Sequence, residues 1–260
     1  MAHKKGDLFS GAIGPVVFKI VNGRQIICAR PGKGKVKLSD STKKAGKTFG
    51  AAATIGARIR RTINPQLANK CDKTSSSRLS GELFSIFHKC RNKDTMEFEY
   101  KDDSFKSLEG FEFNFNSKVK TQITSMPVAE LVNEVLKVNF GQIKVYDQLK
   151  FPSGSYHCLL TATVSLLNLK ANAISVRAES LEKSINVTEK TVQPFTFEFT
   201  VPNGCLYLLC LYQQYTASTK DQIKAGGITK LNRACILKVA ISPGTYDGTD
   251  TFVWEEILQR

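Results

Sequence analysis

Apolar and polar positions change their spacing twice along the chain. Residues 11–30, GAIGPVVFKIVNGRQIICAR, hold two short apolar runs on either side of Asn22-Gly23. Both turn residues tolerate positive φ, as a type I′ hairpin turn requires. The run 16–21 then pairs with 24–30. An isolated two-stranded hairpin is marginal in water, so this one is expected to pair with something larger. Gly11, Gly14 and Pro15 predict a flexible or sharply turned arm before it. The basic link PGKGKVKLSD follows. The spacing then lengthens to three and four: Phe49, Ala52, Ile55, Ile59 and Ile63 predict an amphipathic helix. Asp40 or Ser41 would cap it, and Pro65 would stop it at about Asn64. Gly46, Gly50 and Gly56 each weaken such a helix by roughly 0.5–1 kcal/mol relative to Ala, so it needs a partner surface. A second stripe, Leu79, Leu83, Ile86, Phe87 and Cys90, predicts a helix over 75–91 with Ser75 or Ser76 as cap. The two helices would pack as a helical hairpin.

From about Lys93 the period falls to two. The segments 111–116, 136–140 and 195–200 alternate cleanly. Further strands are predicted at 143–151, 157–169, 173–178, 205–215, 235–241 and 251–257. Turn signals separate them at Pro152-Ser153-Gly154, Pro202-Asn203-Gly204, Gly226-Gly227 and Pro243-Gly244. The segment 127–132 reads equally as a short helix or a strand. Many short strands with regular turns give a fold class of α+β, mainly β. An N-terminal β-hairpin and helical pair precede an antiparallel β-sandwich. The boundaries are 1–38 for the basic arm and hairpin, 39–92 for the two amphipathic helices and 93–260 for the sandwich.

Charge divides the chain more sharply than hydropathy does. Nineteen of the 37 Lys and Arg residues fall at or before Arg91, against four acids, a surplus of fifteen. The other 169 residues hold 18 cations and 19 acids, so the net +14 resides in the N-terminal third. Such a split points to an anionic partner for one end and an ordinary fold at the other. The stretch 19–61 is the strongest candidate, with twelve cations and Asp40 as its one acid. Within it Lys33, Lys35, Lys37, Lys43, Lys44, Lys47, Arg58, Arg60 and Arg61 are the expected phosphate contacts. Lys33, Lys35 and Lys37 alternate, so in extended form they face one way. The stretch holds few aromatics for base stacking and matches no DNA-reading motif.

Catalytic chemistry finds little support. Ala45-Gly46-Lys47-Thr48 imitates a P-loop, but Ser41 stands where the first glycine is needed and no buried strand leads into it. His157 and Cys158 are strand neighbours and so point to opposite faces, which excludes a nucleophile pair. Cys205 and Cys210 lack the spacing and the second ligand pair of a zinc site. No catalytic residue, metal ligand or cofactor is expected. Seven scattered cysteines in apolar surroundings read as reduced buried thiols, which implies a cytoplasmic location. No apolar stretch of signal-peptide or membrane-spanning length occurs, so no membrane partner is expected.

The pattern Gly11-x-x-Gly14-Pro15-Val16-Val17, then Asn22-Gly23-Arg24, then Arg30-Pro31, resembles a family of uncharacterised proteins from Bacteroidota. Those proteins open with a similar glycine-rich hairpin ending in an Arg-x-Pro or Lys-Pro step, followed by helices and a β-rich region. The resemblance covers roughly residues 9–65. Here the link GKGKVK is more basic than the family's pattern. The resemblance implies no activity and fits a non-enzymatic protein.

Two functions are therefore expected. The first is a non-enzymatic binding protein whose basic N-terminal third contacts a polyanion, first of all nucleic acid. The alternative is a structural subunit of a larger assembly, phage-like or otherwise, whose arm and hairpin add strands to a neighbour of the same or another chain.

Overall fold

A computed structural model describes residues 2–30, 39–67, 71–95, 97–121, 123–216 and 233–257. Among the described residues strands hold 41% and helices 23%, so the fold is α+β, mainly β. It comprises two compact units, Met1–Lys44 and Ala45–Arg260.

The first unit is built on a four-stranded antiparallel meander: β1 (His3–Lys5), β2 (Leu8–Ile13), β3 (Val16–Val21) and β4 (Arg24–Ala29). The expected hairpin is β3–β4. The arm, expected to be flexible or sharply turned, is sharply turned: it forms two more strands, because tight turns recur every eight residues at Gly6-Asp7, Gly14-Pro15 and Asn22-Gly23. Asn22 and Gly23 have φ of 50° and 76°, as a type I′ turn demands. Gly14, with φ 55° before Pro15, supplies the first position of a type II′ turn. None of the described side chains in these strands is fully buried.

Helix α1 spans Asp40–Leu67. Its cap is Ser39, neither Asp40 nor Ser41: the Thr42 N–H donates to Ser39 Oγ at 3.2 Å. The helix runs past Asn64 because Pro65 falls in its last turn, where the missing N–H removes one internal bond. The buried stripe is Thr48, Ala52, Ile55, Ile59 and Ile63, while Phe49 turns outward at 55% exposure. Helix α2 spans Ser75–Cys90 and buries Leu79, Leu83, Ile86 and Phe87. Thr74, not Ser75 or Ser76, precedes it as cap residue and makes no side-chain cap bond. The pair packs closely at Gly56, where an added Cβ would lie 3.1 Å from Leu83 Cδ1.

The remaining strands, with the four-residue helix α3 (Val145–Gln148) among them, are β5 (Val128–Val132), β6 (Val135–Phe140), β7 (Ile143–Lys144), β8 (His157–Asn168), β9 (Ala173–Ser175), β10 (Glu179–Asn186), β11 (Thr191–Val192), β12 (Phe195–Thr200), β13 (Leu206–Thr216), β14 (Arg233–Ile241) and β15 (Trp254–Glu256). A six-stranded sheet orders them β14-β13-β8-β9-β15, with β10 also on β8, and a three-stranded sheet orders them β12-β6-β5. The segment 127–132 is thus resolved as strand β5. Of the expected strands, one is cut short and one does not form. The run 143–151 keeps two strand residues and then coils into α3. The run 111–116 stays irregular. Its N-terminal part follows β14 through Phe113 N–H to Ala234 O at 2.9 Å, and Phe113 O is taken by the Asp72 N–H.

β13 shows how the layers are assembled. Tyr207, Leu209 and Leu211 pack with Leu136, Val138 and Phe140 of β6 and with Phe197 and Phe199 of β12. Leu206, Leu208, Cys210 and Tyr212, on the opposite face, pack with Ile55, Ile59, Leu83 and Phe87 of the helices. Burial on both faces explains the unbroken apolar run 206–211. A register shift against β14 at Leu209/Cys210 lets both Ile236 and Val239, three apart, face the helices. The helices of 39–92 therefore share one core with the strands that follow. A hydroxyl pair, Thr62 with Ser165 at 2.9 Å, adds a polar contact between α1 and β8.

Candidate polyanion interface

The N-terminal sheet sets Lys19 and Arg24 among apolar side chains on one face. Lys19 stands opposite Ile26 and Arg24 opposite Val21, so both cations share one face of β3–β4. Phe18 opposite Ile27, Val16 opposite Ala29 and Ile13 opposite Val16 occupy the other. The Phe9 ring lies 6.0 Å from Phe18, and its backbone N–H donates to Gln25 Oε1 at 2.8 Å. Lys4, paired across from Phe9, is exposed. Phe9, Ile13 and Ile27 are 40%, 52% and 60% exposed. Sequence reasoning counted Lys19 and Arg24 as charge but missed that they share one face. The two-residue turns at 14–15 and 22–23 carry that signal, since they fix the register and hence the faces.

The expected phosphate contacts fare differently from one another. Lys33, Lys35 and Lys37 lie outside the described residues. Lys43 is exposed and bonded to Asp40 at 3.0 Å; Lys44 and Lys47 are exposed on α1. Arg58 is largely buried, with Nη1 2.6 Å from Glu255 Oε1. Arg61 reaches the same carboxylate oxygen at 3.4 Å and stays 70% exposed. Glu255 thus gathers two of the arginines onto β15, and Arg58 serves chiefly to seat α1. Arg60 is set apart: its Nη1 approaches Ser76 O of α2 at 3.4 Å, and burial lowers its pKa. Of the α1 cations past the first turns, Lys47 and Arg61 remain the open ones.

Elsewhere the chemistry is muted. Cys158 is fully buried, and burial pushes its thiol up to about 12, so it is protonated at neutral pH. Gln213 Nε2 donates to Tyr215 Oη at 2.6 Å and lies 3.7 Å from Cys158 Sγ. The Arg233 guanidinium sits 5.7 Å from the Tyr215 ring centre, and burial lowers its pKa. Among the described residues no three His, Cys, Asp or Glu side chains come together as metal ligands do. A cavity of about 440 Å³ opens among Ile55, Phe87, Phe98, Tyr100 and Leu169, with Glu97 and Lys170 as its charged lining. Its walls are mainly apolar and present no nucleophile beside a base. No described helix is long and apolar enough to cross a membrane.

No protein-family description, curated protein or solved structure matches this chain.

Proposed function

We propose that this chain is a non-enzymatic binding protein whose basic N-terminal third contacts a polyanion, nucleic acid first of all. One observation carries the reading: Met1–Lys44 holds ten cations against two acids, and its sheet sets Lys19 and Arg24 together on an exposed face. Phosphate binding by such residues is tolerant of sequence and driven by counterion release. Lys47 and Arg61 extend the candidate set, and Arg58, tied to Glu255, leaves it. The test is oligonucleotide anisotropy across a salt series. Neutralising Lys19, Arg24, Lys43 and Lys47 to Gln should weaken single-strand binding and flatten the slope of log K against log salt by about 3. Arg58→Gln should leave the slope unchanged. Undetectable binding of both single and double strands at low salt would defeat the reading.

A second reading has its own support. The N-terminal sheet leaves β1 and β4 as edges and keeps large apolar side chains exposed, which favours a structural subunit of a larger assembly. Such a subunit should sediment above its monomer mass as concentration rises. A mass independent of concentration, alone and in native lysate, would remove it.

A further inference from the structure

The cavity among Ile55, Phe87, Phe98, Tyr100 and Leu169 joins apolar walls to two opposite charges. Its volume of about 440 Å³ lies within the range of small-molecule sites, roughly 300–1,000 Å³. Glu97 and Lys170 both line it, and both are exposed. Among the described residues neither is joined in an ion pair, to the other or to a third group. We infer that the cavity binds a free amino acid with a large apolar side chain. The side chain fills the apolar interior, the ammonium meets Glu97 and the carboxylate meets Lys170. Such a site stands apart from the polyanion reading, since none of its residues belongs to Met1–Lys44.

The backbone under each charge is fixed. Glu97 and Phe98 lie against the end of α2: the Asn92 N–H donates to Glu97 O at 2.9 Å, the Glu99 N–H donates to Cys90 O at 2.8 Å, and Phe98 bridges to Arg91. Lys170 stands in the turn from β8 to β9, where Asn168 Oδ1 accepts from the Ala171 N–H at 2.9 Å. Asn172 closes that turn with a φ of 50°. Its carbonyl accepts from the Ile257 N–H and its Nδ2 donates to Ile257 O, both at 2.7 Å, which holds a further wall residue in place. Ordering of these segments therefore precedes any ligand. The pair of charges selects the occupant. An uncharged apolar molecule would use neither Glu97 nor Lys170, and the end of a peptide carries one of the two complementary charges. A free amino acid carries both on one carbon, beside its side chain. An aromatic side chain suits the interior best, because Phe87, Phe98 and Tyr100 offer it edge-to-face and offset contacts.

Isothermal titration calorimetry on the full chain at neutral pH tests this with four probes: L-phenylalanine, L-phenylalaninamide, N-acetyl-L-phenylalanine and glycine. Phenylalanine should bind about tenfold more tightly than either derivative, each of which lacks one charge, and glycine should give no binding. Glu97→Gln should weaken phenylalanine and phenylalaninamide about tenfold and leave N-acetylphenylalanine unchanged. Lys170→Gln should weaken phenylalanine and N-acetylphenylalanine about tenfold and leave phenylalaninamide unchanged. Both sites are exposed, so both variants should keep the circular dichroism of wild type. A derivative or glycine that binds as tightly as phenylalanine overturns the free apolar amino acid as occupant. Silence from all four probes at millimolar concentration overturns it too. Phenylalanine binding that ignores both substitutions lies outside this cavity and overturns the assignment.

Discussion

Phe87→Ala should lower the unfolding free energy by about 3–5 kcal/mol, the largest single effect expected in this chain. Phe87 is 1% exposed and sits where α2 meets the six-stranded sheet. Its ring is met edge-on by Phe98 at 4.9 Å, Tyr100 at 5.7 Å and Phe105 at 6.4 Å. Truncation removes the apolar transfer free energy and also three aromatic contacts, and the rigid sheet beneath cannot collapse into the gap. Phe49→Ala, on the outward side of α1 at 55% exposure, should cost no more than about 1 kcal/mol. Urea unfolding followed by far-ultraviolet circular dichroism compares the two midpoints. Equal losses would show that α2 is not seated on the sheet.

Asp72→Ala should cost about 2–4 kcal/mol, although Asp72 lies in a loop. Its Oδ1 accepts from the Thr74 N–H and hydroxyl, both at 2.7 Å. Its Oδ2 accepts from Arg78 Nη2 at 2.7 Å and from the Phe115 N–H at 2.8 Å. One carboxylate thus fixes the start of α2 and ties it to the segment 113–115, where Arg78 also donates to Glu112 O at 2.9 Å. Burial alone would raise its pKa; the four hydrogen bonds outweigh it and bring the group down to about 2. The folded pKa lies below the unfolded one, so the stabilisation is complete above about pH 4 and fades as pH falls towards 2. The ionisation contributes on the order of 1–2 kcal/mol after allowance for solvent. Wild type should therefore lose more stability than Asp72→Ala between about pH 5 and pH 2.5. Parallel losses across that interval would assign the acid sensitivity to other carboxylates.

Local signals carried most of the fold. Asn22-Gly23 announced a hairpin because its chemistry is confined to two residues, and 206–211 announced a central strand because no other element buries six consecutive apolar residues at that length. The β1–β2 arm escaped because its strands are short and rich in small and polar residues; the turns, not the strands, hold their identity. The run 111–116 alternates as well as any strand, yet Phe115 is 59% exposed and Asp72 takes the backbone where a ladder would continue. β10, with its mixed burial, gave no pattern to read. The cations were legible as a number and only partly as a surface. Arg58 and Arg61 lie nearly two hundred residues from Glu255, and no periodicity reports a pairing across that distance.

The eight-residue spacing of the N-terminal turns also orders events in time. Every strand pairing of β1–β4 is between sequence neighbours, so this sheet can close as soon as Ala29 has emerged from the ribosome. The six-stranded sheet must wait for β15, which ends at Glu256. At about 5–20 residues per second that leaves roughly eleven to forty-five seconds in which a finished sheet precedes an unfinished core.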